Sequence, residues 1–243
     1  MAGARLTLIN PGPTAPYSGM LPGRVAGHYT RDQLDIDLVK LARFAGARLI
    51  LGAAEGIDLQ ARRIHVPGRP PVGYDLCALD IGISSDMPDL PGFAEHAVPA
   101  KPLGPFARHW QTFLDTSGPA SVLVIGAGVA GAELAMAMAF ALRRKGRAGG
   151  VTLVDSAVAL AATGRRARRR LLDELDRVGV TLVEHATITG ITPDGVALAD
   201  GTTLPADFVT GAAGARAQGW LEETGLALSD GFVTVDERLQ TSD

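Results

Sequence analysis

The stretch Val122-Leu-Val-Ile-Gly-Ala-Gly-Val-Ala-Gly-Ala-Glu133 constrains this chain more than any other. Ser121 to Ile125 is almost wholly apolar, as a strand covered on both faces has to be. Gly126, Gly128 and Gly131 follow at the spacing of a dinucleotide-binding turn. The first allows the tight turn. The second lets backbone approach a pyrophosphate, and the third lets the next helix lie close against the strand. The helix, running to about Arg144, would then turn the amides of Val129 and Ala130 toward the phosphates. Two other readings stand beside this one: a glycine turn kept only for packing, and a site for another nucleotide-like ligand such as S-adenosylmethionine.

With 243 residues the chain has room for one or two domains. Its net charge of −3 argues against nucleic acid as the main partner. The single cysteine, Cys77, cannot form an internal disulfide and points to a reducing compartment, hence a cytoplasmic location. It lies in an apolar segment and reads as a small buried residue. No apolar run is long enough to span a bilayer. The short one from Ala130 to Leu142 sits directly behind the glycine turn and reads as a buried helix. His28, His65, His96, His109 and His185 are scattered and form no metal-binding pattern.

Taken in order, Arg5 to Asn10 reads as a strand and residues 11 to 23, rich in proline and glycine, as a shaped loop. Asp32 would cap a helix from Gln33 to Ala45, stopped by Gly46. Ala47 to Leu51 is the next strand. Residues 53 to 66 suggest a hairpin. Tyr74 to Ile81 reads as a strong strand ending at Gly82. A loop over 84 to 96 carries Pro88 and Pro91, a helix follows over 105 to 114, and Thr116-Ser-Gly-Pro119 marks a boundary.

Beyond the glycine turn and its helix, Val151 to Asp155 and Val180 to Glu184 predict parallel strands. Between them lies an amphipathic helix from Arg165 to Val178, with Leu171, Leu172, Leu175 and Val178 inward. Ala186 to Ile191, Val196 to Ala199 and Thr203-Leu204 predict an antiparallel meander joined by Pro-Asp-Gly and Asp-Gly turns. Asp207 to Gly211 is a returning strand. A short helix at Trp220 to Thr224 and a strand at Phe232 to Val235 follow. The fold class is α/β, with two doubly wound units.

Several further segments carry a resemblance. Thr14-Ala-Pro-Tyr-Ser-Gly-Met-Leu-Pro-Gly23, Ala26-Gly-His-Tyr29, Ile36-Asp-Leu38, Arg69-Pro-Pro71, Tyr74-Asp75, Asp80-Ile-Gly82 and Lys101-Pro102 fall in order with the glycine turn. Together they resemble the FAD-dependent pyridine nucleotide-disulfide oxidoreductases, in their NADH-dehydrogenase-like branch. One type within that branch occurs fused to selenide, water dikinase. The resemblance implies an incomplete FAD-binding domain, 1–118 and 207–243, and an inserted NAD(P)-binding domain, 119–206. It assigns Gly126, Gly128, Val129, Ala130, Gly131 and Glu133 to the nicotinamide dinucleotide. Tyr17, Ser18, Gly19, Met20, Leu21 and Pro22 fall near the flavin, with Lys101 and Pro102 beside them. Asp80, Ile81 and Gly82 fall where the backbone passes the FAD, and Gly211 of the returning strand is assigned to cofactor binding. The family's N-terminal glycine-rich FAD turn and C-terminal Gly-Asp segment have no counterpart here. The FAD unit therefore lacks its first strand and helix, and the expectation is a chain truncated at both ends.

Asp155 stands where an acid binds the adenosine ribose, and its charge would repel the extra phosphate of NADPH, which favours NADH. A helix cap or a solvated strand end is its plainer role. Arg165, Arg166, Arg168, Arg169 and Arg170 suit either a solvated helix face or a 2′-phosphate. Glu133 either sits near the nicotinamide or balances the helix N-terminus. Lys101 is either a surface lysine or a cation stabilising reduced flavin. His28 and Tyr29 invite an acid–base reading, yet hydride transfer depends more on positioning. The expected activity is hydride transfer from NADH to FAD and on to a small-molecule acceptor, a quinone by resemblance. Homodimerisation, a peripheral place at the inner membrane face and a link to selenophosphate synthesis are expectations of the same resemblance. The rival is a non-catalytic nucleotide-binding or regulatory module, or an inactive truncated flavoprotein, without bound FAD.

Overall fold

The structure is a computed structural model describing residues 3–85, 87 and 89–242. Pro88, expected in a loop, lies outside the described residues. Contacts divide the chain into two compact units. One comprises Met1–Tyr17, Asp35–Ile83 and Arg216–Asp243, the other Ser18–Leu34 and Ser84–Ala215. The expected insert, 119–206, lies wholly within the second unit, which also takes in 18–34, 84–118 and 207–215.

The second unit is built on a five-stranded parallel sheet. Its spatial order is Val180–Val183, Val151–Val154, Val122–Ile125, Phe208–Gly211 and Ala97–Pro99. All four residues of Val122–Ile125 are buried, which explains their unbroken apolar run. The helix Val129–Arg144 packs on this sheet with Ala132, Ala135, Ala137, Ala139 and Ala141 buried. Alanines there let helix and sheet backbones approach closely. Trp110, on the helix Leu103–Asp115, joins three segments. Its ring lies 5.7 Å from Phe113 and 5.5 Å from Phe208, and its Nε1 donates to the Val25 carbonyl at 3.0 Å. That bond and the burial of Leu21 and Val25 tie the helix Leu21–Val25 into the same core. The exposed His28 ring meets Phe140 at 4.9 Å, tilted by 46°.

The meander forms as expected, from Ile188–Thr192, Gly195–Leu198 and Thr203–Pro205. Its second turn is closed by Asp200, whose carboxylate accepts from the Thr202 amide at 2.9 Å. It buries Ile191, Val196 and Leu198 with Phe93, Leu123, Ile125 and Val154.

In the first unit Thr7–Asn10 pairs in parallel with Arg48–Leu51, and the helix Leu38–Ala45 precedes the second strand. Gly46, at φ 62°, ends that helix. Gly56–Asp58, Arg63–His65 and Val72–Gly73 form an antiparallel sheet. A hairpin pairs Leu228–Ser229 with Phe232–Val233, and a 3₁₀ turn spans Gly219–Glu223.

Four expectations are corrected. The helix from Gln33 to Ala45 is broken: Arg31–Leu34 is one turn, Asp35–Asp37 is a strand paired with Thr14–Pro16, and the helix proper starts at Leu38. Its cap is Asp37, accepting from the Lys40 amide at 2.9 Å, and not Asp32. Tyr74 to Ile81 is not a strand. A strand exists only where a neighbour completes its hydrogen bonds; the ladder with Arg63–His65 ends at Val72–Gly73, with one further bond from the Tyr74 amide to the Arg62 carbonyl at 3.0 Å, and Leu76 beyond it is 88% exposed. Cys77 consequently sits half-buried outside any strand. Last, the loop over 84–96 contains a helical turn, Phe93–His96, and leads into the edge strand Ala97–Pro99.

Candidate functional site

The strands of the second unit end in register. Pro99, Gly211, Ile125, Val154 and Val183 form one row across the sheet. The residues one step beyond are therefore Ala100, Ala212, Gly126, Asp155 and Glu184. In an open parallel sheet this carboxyl edge is where ligands bind.

The three glycines of the turn differ in what surrounds them. Gly126, at φ 102°, has no room for a side chain, since a Cβ would stand 2.6 Å from the Ala213 nitrogen. A Cβ on Gly131 would overlap the Gly126 carbonyl oxygen. Gly128, at φ −72°, is exposed, and a Cβ there would meet nothing within 4 Å. Val129, Ala130 and Glu133 are exposed too, on a helix otherwise mostly buried. Gly128 is the N-cap, no side chain caps the helix, and no acid occupies its first turn. An uncovered helix start of this kind attracts an anion through its free amides and its dipole. The open cradle at Gly128 fits a pyrophosphate.

Asp155 is half-buried. Its Oδ2 accepts from the Ala127 amide at 2.6 Å, and its Oδ1 from the Ala157 amide at 2.8 Å. The carboxylate thus bridges the glycine turn and the loop that follows its own strand. Glu184, ending the next strand, accepts from the Ala159 amide at 2.6 Å and from Arg168 Nη2 at 3.3 Å. Of the other arginines, Arg165, Arg166, Arg169 and Arg170 are exposed, and Arg169 reaches Asp173 at 4.0 Å.

Lys101 lies two strands along the same edge, about 10 Å from the glycine turn by strand spacing. Its amide donates to Ser85 Oγ at 2.9 Å, and the Ser85 hydroxyl donates to the Gly211 carbonyl at 3.1 Å. Burial lowers the Lys101 pKa below the ordinary lysine value. Gly211 is buried, its carbonyl also accepts from the Ala100 amide at 2.9 Å, and its missing side chain makes room for the Phe93 ring.

The second unit therefore brings Gly126, Gly128, Val129, Ala130, Gly131, Glu133, Asp155, Lys101, Pro102 and Gly211 to one sheet edge. It also holds Ser18, Gly19, Met20, Leu21 and Pro22, of which Leu21 is buried in the core. Tyr17, Asp80, Ile81 and Gly82 belong to the first unit, where all four are exposed. Sequence reasoning missed Ser85, Leu160, Arg168 as an anchor, and Glu184. Glu184 alone left a readable sign, an acid ending a strand just as Asp155 does. Among the described residues no set of His, Cys, Asp and Glu could hold a metal, and no helix is long and apolar enough to cross a membrane.

The model of the pyridine nucleotide-disulphide oxidoreductase family matches residues 1–243. A nitric oxide reductase FlRd-NAD(+) reductase of Aeromonas salmonicida is 35% identical over 203 residues, covering 77% of this chain and 47% of that protein. An NADH dehydrogenase-like protein of Mycobacterium tuberculosis is 28% identical over 210 residues, covering 81% of this chain and 52% of its own length. The chain thus spans about half the length of these relatives. Among solved structures, reduced CoADR-RHD of Bacillus anthracis superposes with a TM-score of 0.86 at 20% identity, over 100% of this chain and 45% of that one. The ferredoxin reductase for the CYP199A2 system of Rhodopseudomonas palustris gives 0.84 at 25% identity, over 99% and 60%. Both share its fold of Rossmann-like α/β units, parallel sheet and antiparallel meander.

Proposed function

Since the chain belongs to the pyridine nucleotide-disulphide oxidoreductase family, we propose that its second unit binds a nicotinamide dinucleotide, NADH in preference to NADPH. The whole protein would carry hydride from it to FAD and pass electrons to an acceptor. The observation that carries this reading is the exposed, uncapped helix start at Gly128–Ala130 beside two glycines that tolerate no side chain. The amides of Val129 and Ala130 hold the pyrophosphate. Asp155 stands at the ribose end, where its charge disfavours a 2′-phosphate. Glu133 faces the nicotinamide side of the turn, and Lys101 supplies a partly desolvated cation further along the edge.

Once bound, the two cofactors supply hydride donation and electron storage, and the protein supplies position and charge. The flavin assignments, Tyr17–Pro22, Asp80–Gly82, Lys101–Pro102 and Gly211, rest on resemblance. In this reading the acceptor is a small molecule, with a quinone foremost. The likeness to proteins named as a ferredoxin reductase and an FlRd reductase favours an electron-carrier protein as the second choice.

Purifying the chain and titrating it with NADH tests the proposal. Visible flavin absorption that bleaches on NADH addition supports the oxidoreductase. A colourless chain that binds NADH supports a nucleotide-binding module without flavin. A chain indifferent to both NADH and NADPH rejects the site.

A further inference from the structure

The glycine turn is held from outside. The Ala127 amide donates to Asp155 Oδ2 at 2.6 Å, and the Ala127 carbonyl accepts from the Leu160 amide at 2.8 Å. Both grips come from the loop between the second strand and the Arg165–Arg177 helix. To deliver its amide, Leu160 adopts φ 56°, a left-handed conformation costly for a residue with a side chain, while that side chain is only 2% exposed. The neighbouring peptide is fixed with equal care. The Ala159 amide donates to Glu184 at 2.6 Å, and its carbonyl accepts from Arg168 Nε at 2.8 Å. Arg168 and Glu184 close the circuit at 3.3 Å, with about a third of each side chain exposed. Thr163 secures the Leu160 carbonyl through its amide at 3.0 Å and its hydroxyl at 2.7 Å.

We propose that Arg168 and Glu184 are positioning residues for dinucleotide binding. They lock Ala159 and Leu160 into a buckle that clamps the Ala127 peptide and so presets the anion-binding amides beyond it. This inference rests on the dinucleotide reading of the glycine turn. Strain stored at Leu160 has a purpose in this arrangement. A turn already in its binding conformation loses less freedom when the ligand arrives. Arg168 thereby departs from the other arginines of its helix, which face solvent. It serves the site through backbone, not through contact with a 2′-phosphate.

The test is the double variant Arg168→Met/Glu184→Gln, which leaves net charge unchanged. The Kd values for NADH and NADPH are measured on the purified chain, with amide hydrogen exchange on the same samples. Both dinucleotides should bind about tenfold more weakly, by the same factor, since two charge-assisted bonds are lost. The amides of Ala127 and Leu160 should exchange slowly in the unaltered chain and fast in the variant. A loss confined to NADPH would make Arg168 a phosphate reader and overturn the proposal, as would an unchanged Kd for NADH. Fast exchange at Ala127 in the unaltered chain also overturns it, whether or not the variant folds. If the unaltered chain binds neither dinucleotide, the cofactor reading itself fails, an outcome distinct from binding that ignores the variant.

Discussion

At the scale of single residues, the glycines of the turn separate fold from function. A methyl group at Gly131 collides with the Gly126 carbonyl, so Gly131→Ala should destabilise the chain by about 3 kcal/mol, as overpacking does. Gly128 has ordinary φ and open space. Gly128→Ala should melt where the unaltered chain does, yet lose dinucleotide affinity because the methyl occupies the anion's approach. Thermal melts paired with NADH titration check both, and a stable Gly131→Ala chain would contradict the packing argument. Lys101 gives a pH dependence. Burial lowers its pKa, and no acid among the described residues forms an ion pair with it. Just below the ordinary lysine value, the folded chain therefore binds fewer protons there than the unfolded chain, and stability rises with pH through that window. Lys101→Met should be more stable than the unaltered chain at neutral pH, with an advantage that shrinks as the pH climbs through the window. Melting curves at both ends of the window measure it.

Elements are joined by side chains whose importance the local pattern only hints at. Trp110 is 2% exposed, touches Phe113 and Phe208, and hydrogen-bonds the Val25 carbonyl. Trp110→Ala should cost about 4 kcal/mol in chemical denaturation, whereas Trp110→Phe keeps the ring contacts and should cost about 1 kcal/mol for the lost bond. Equal losses would mean that packing at this junction contributes little. Arg147 plays a comparable part against the other side-chain partner of Trp110 on its own helix, Phe113. Its guanidinium donates to the Phe113, Gly118 and Pro119 carbonyls and lies 4.7 Å over the Phe113 ring. The segment Thr116–Pro119, read from its composition as a boundary, is thus tied at both Gly118 and Pro119.

For the molecule as a whole, the two units differ in how well each is buttressed. The second unit carries both large clusters of buried apolar side chains, with Leu123, Met138 and Leu153 fully covered. The first unit combines a pair of parallel strands, the helix Leu38–Ala45 and short antiparallel sheets, and leaves apolar residues such as Phe44 and Leu76 exposed at 91% and 88%. Amides of Thr7–Asn10 should therefore exchange with solvent well before those of Val122–Ile125. Equal protection in a deuterium-uptake time course would reject this ranking.

Much of the architecture was readable because its causes are local. An unbroken apolar run, three spaced glycines and the Asp-Gly turn each act within a few residues, so Val122–Arg144 and the meander follow from the order of residues alone. The Leu38–Ala45 helix was legible in its stop at Gly46 but not in its start, since the strand Asp35–Asp37 that precedes it forms against Thr14–Pro16. Tyr74–Ile81 has strand-forming residues, yet among the described residues its pairing stops at the Tyr74 amide, because a strand is decided by its neighbour. Most of all, tertiary structure decided what Asp155 and Lys101 touch. Asp155 meets an amide 28 residues away, and Ser85, which supports Lys101, bonds a carbonyl 126 residues away. Hydrogen bonds are short and directional, so only the folded sheet edge, with its strand ends in one row, could select those partners.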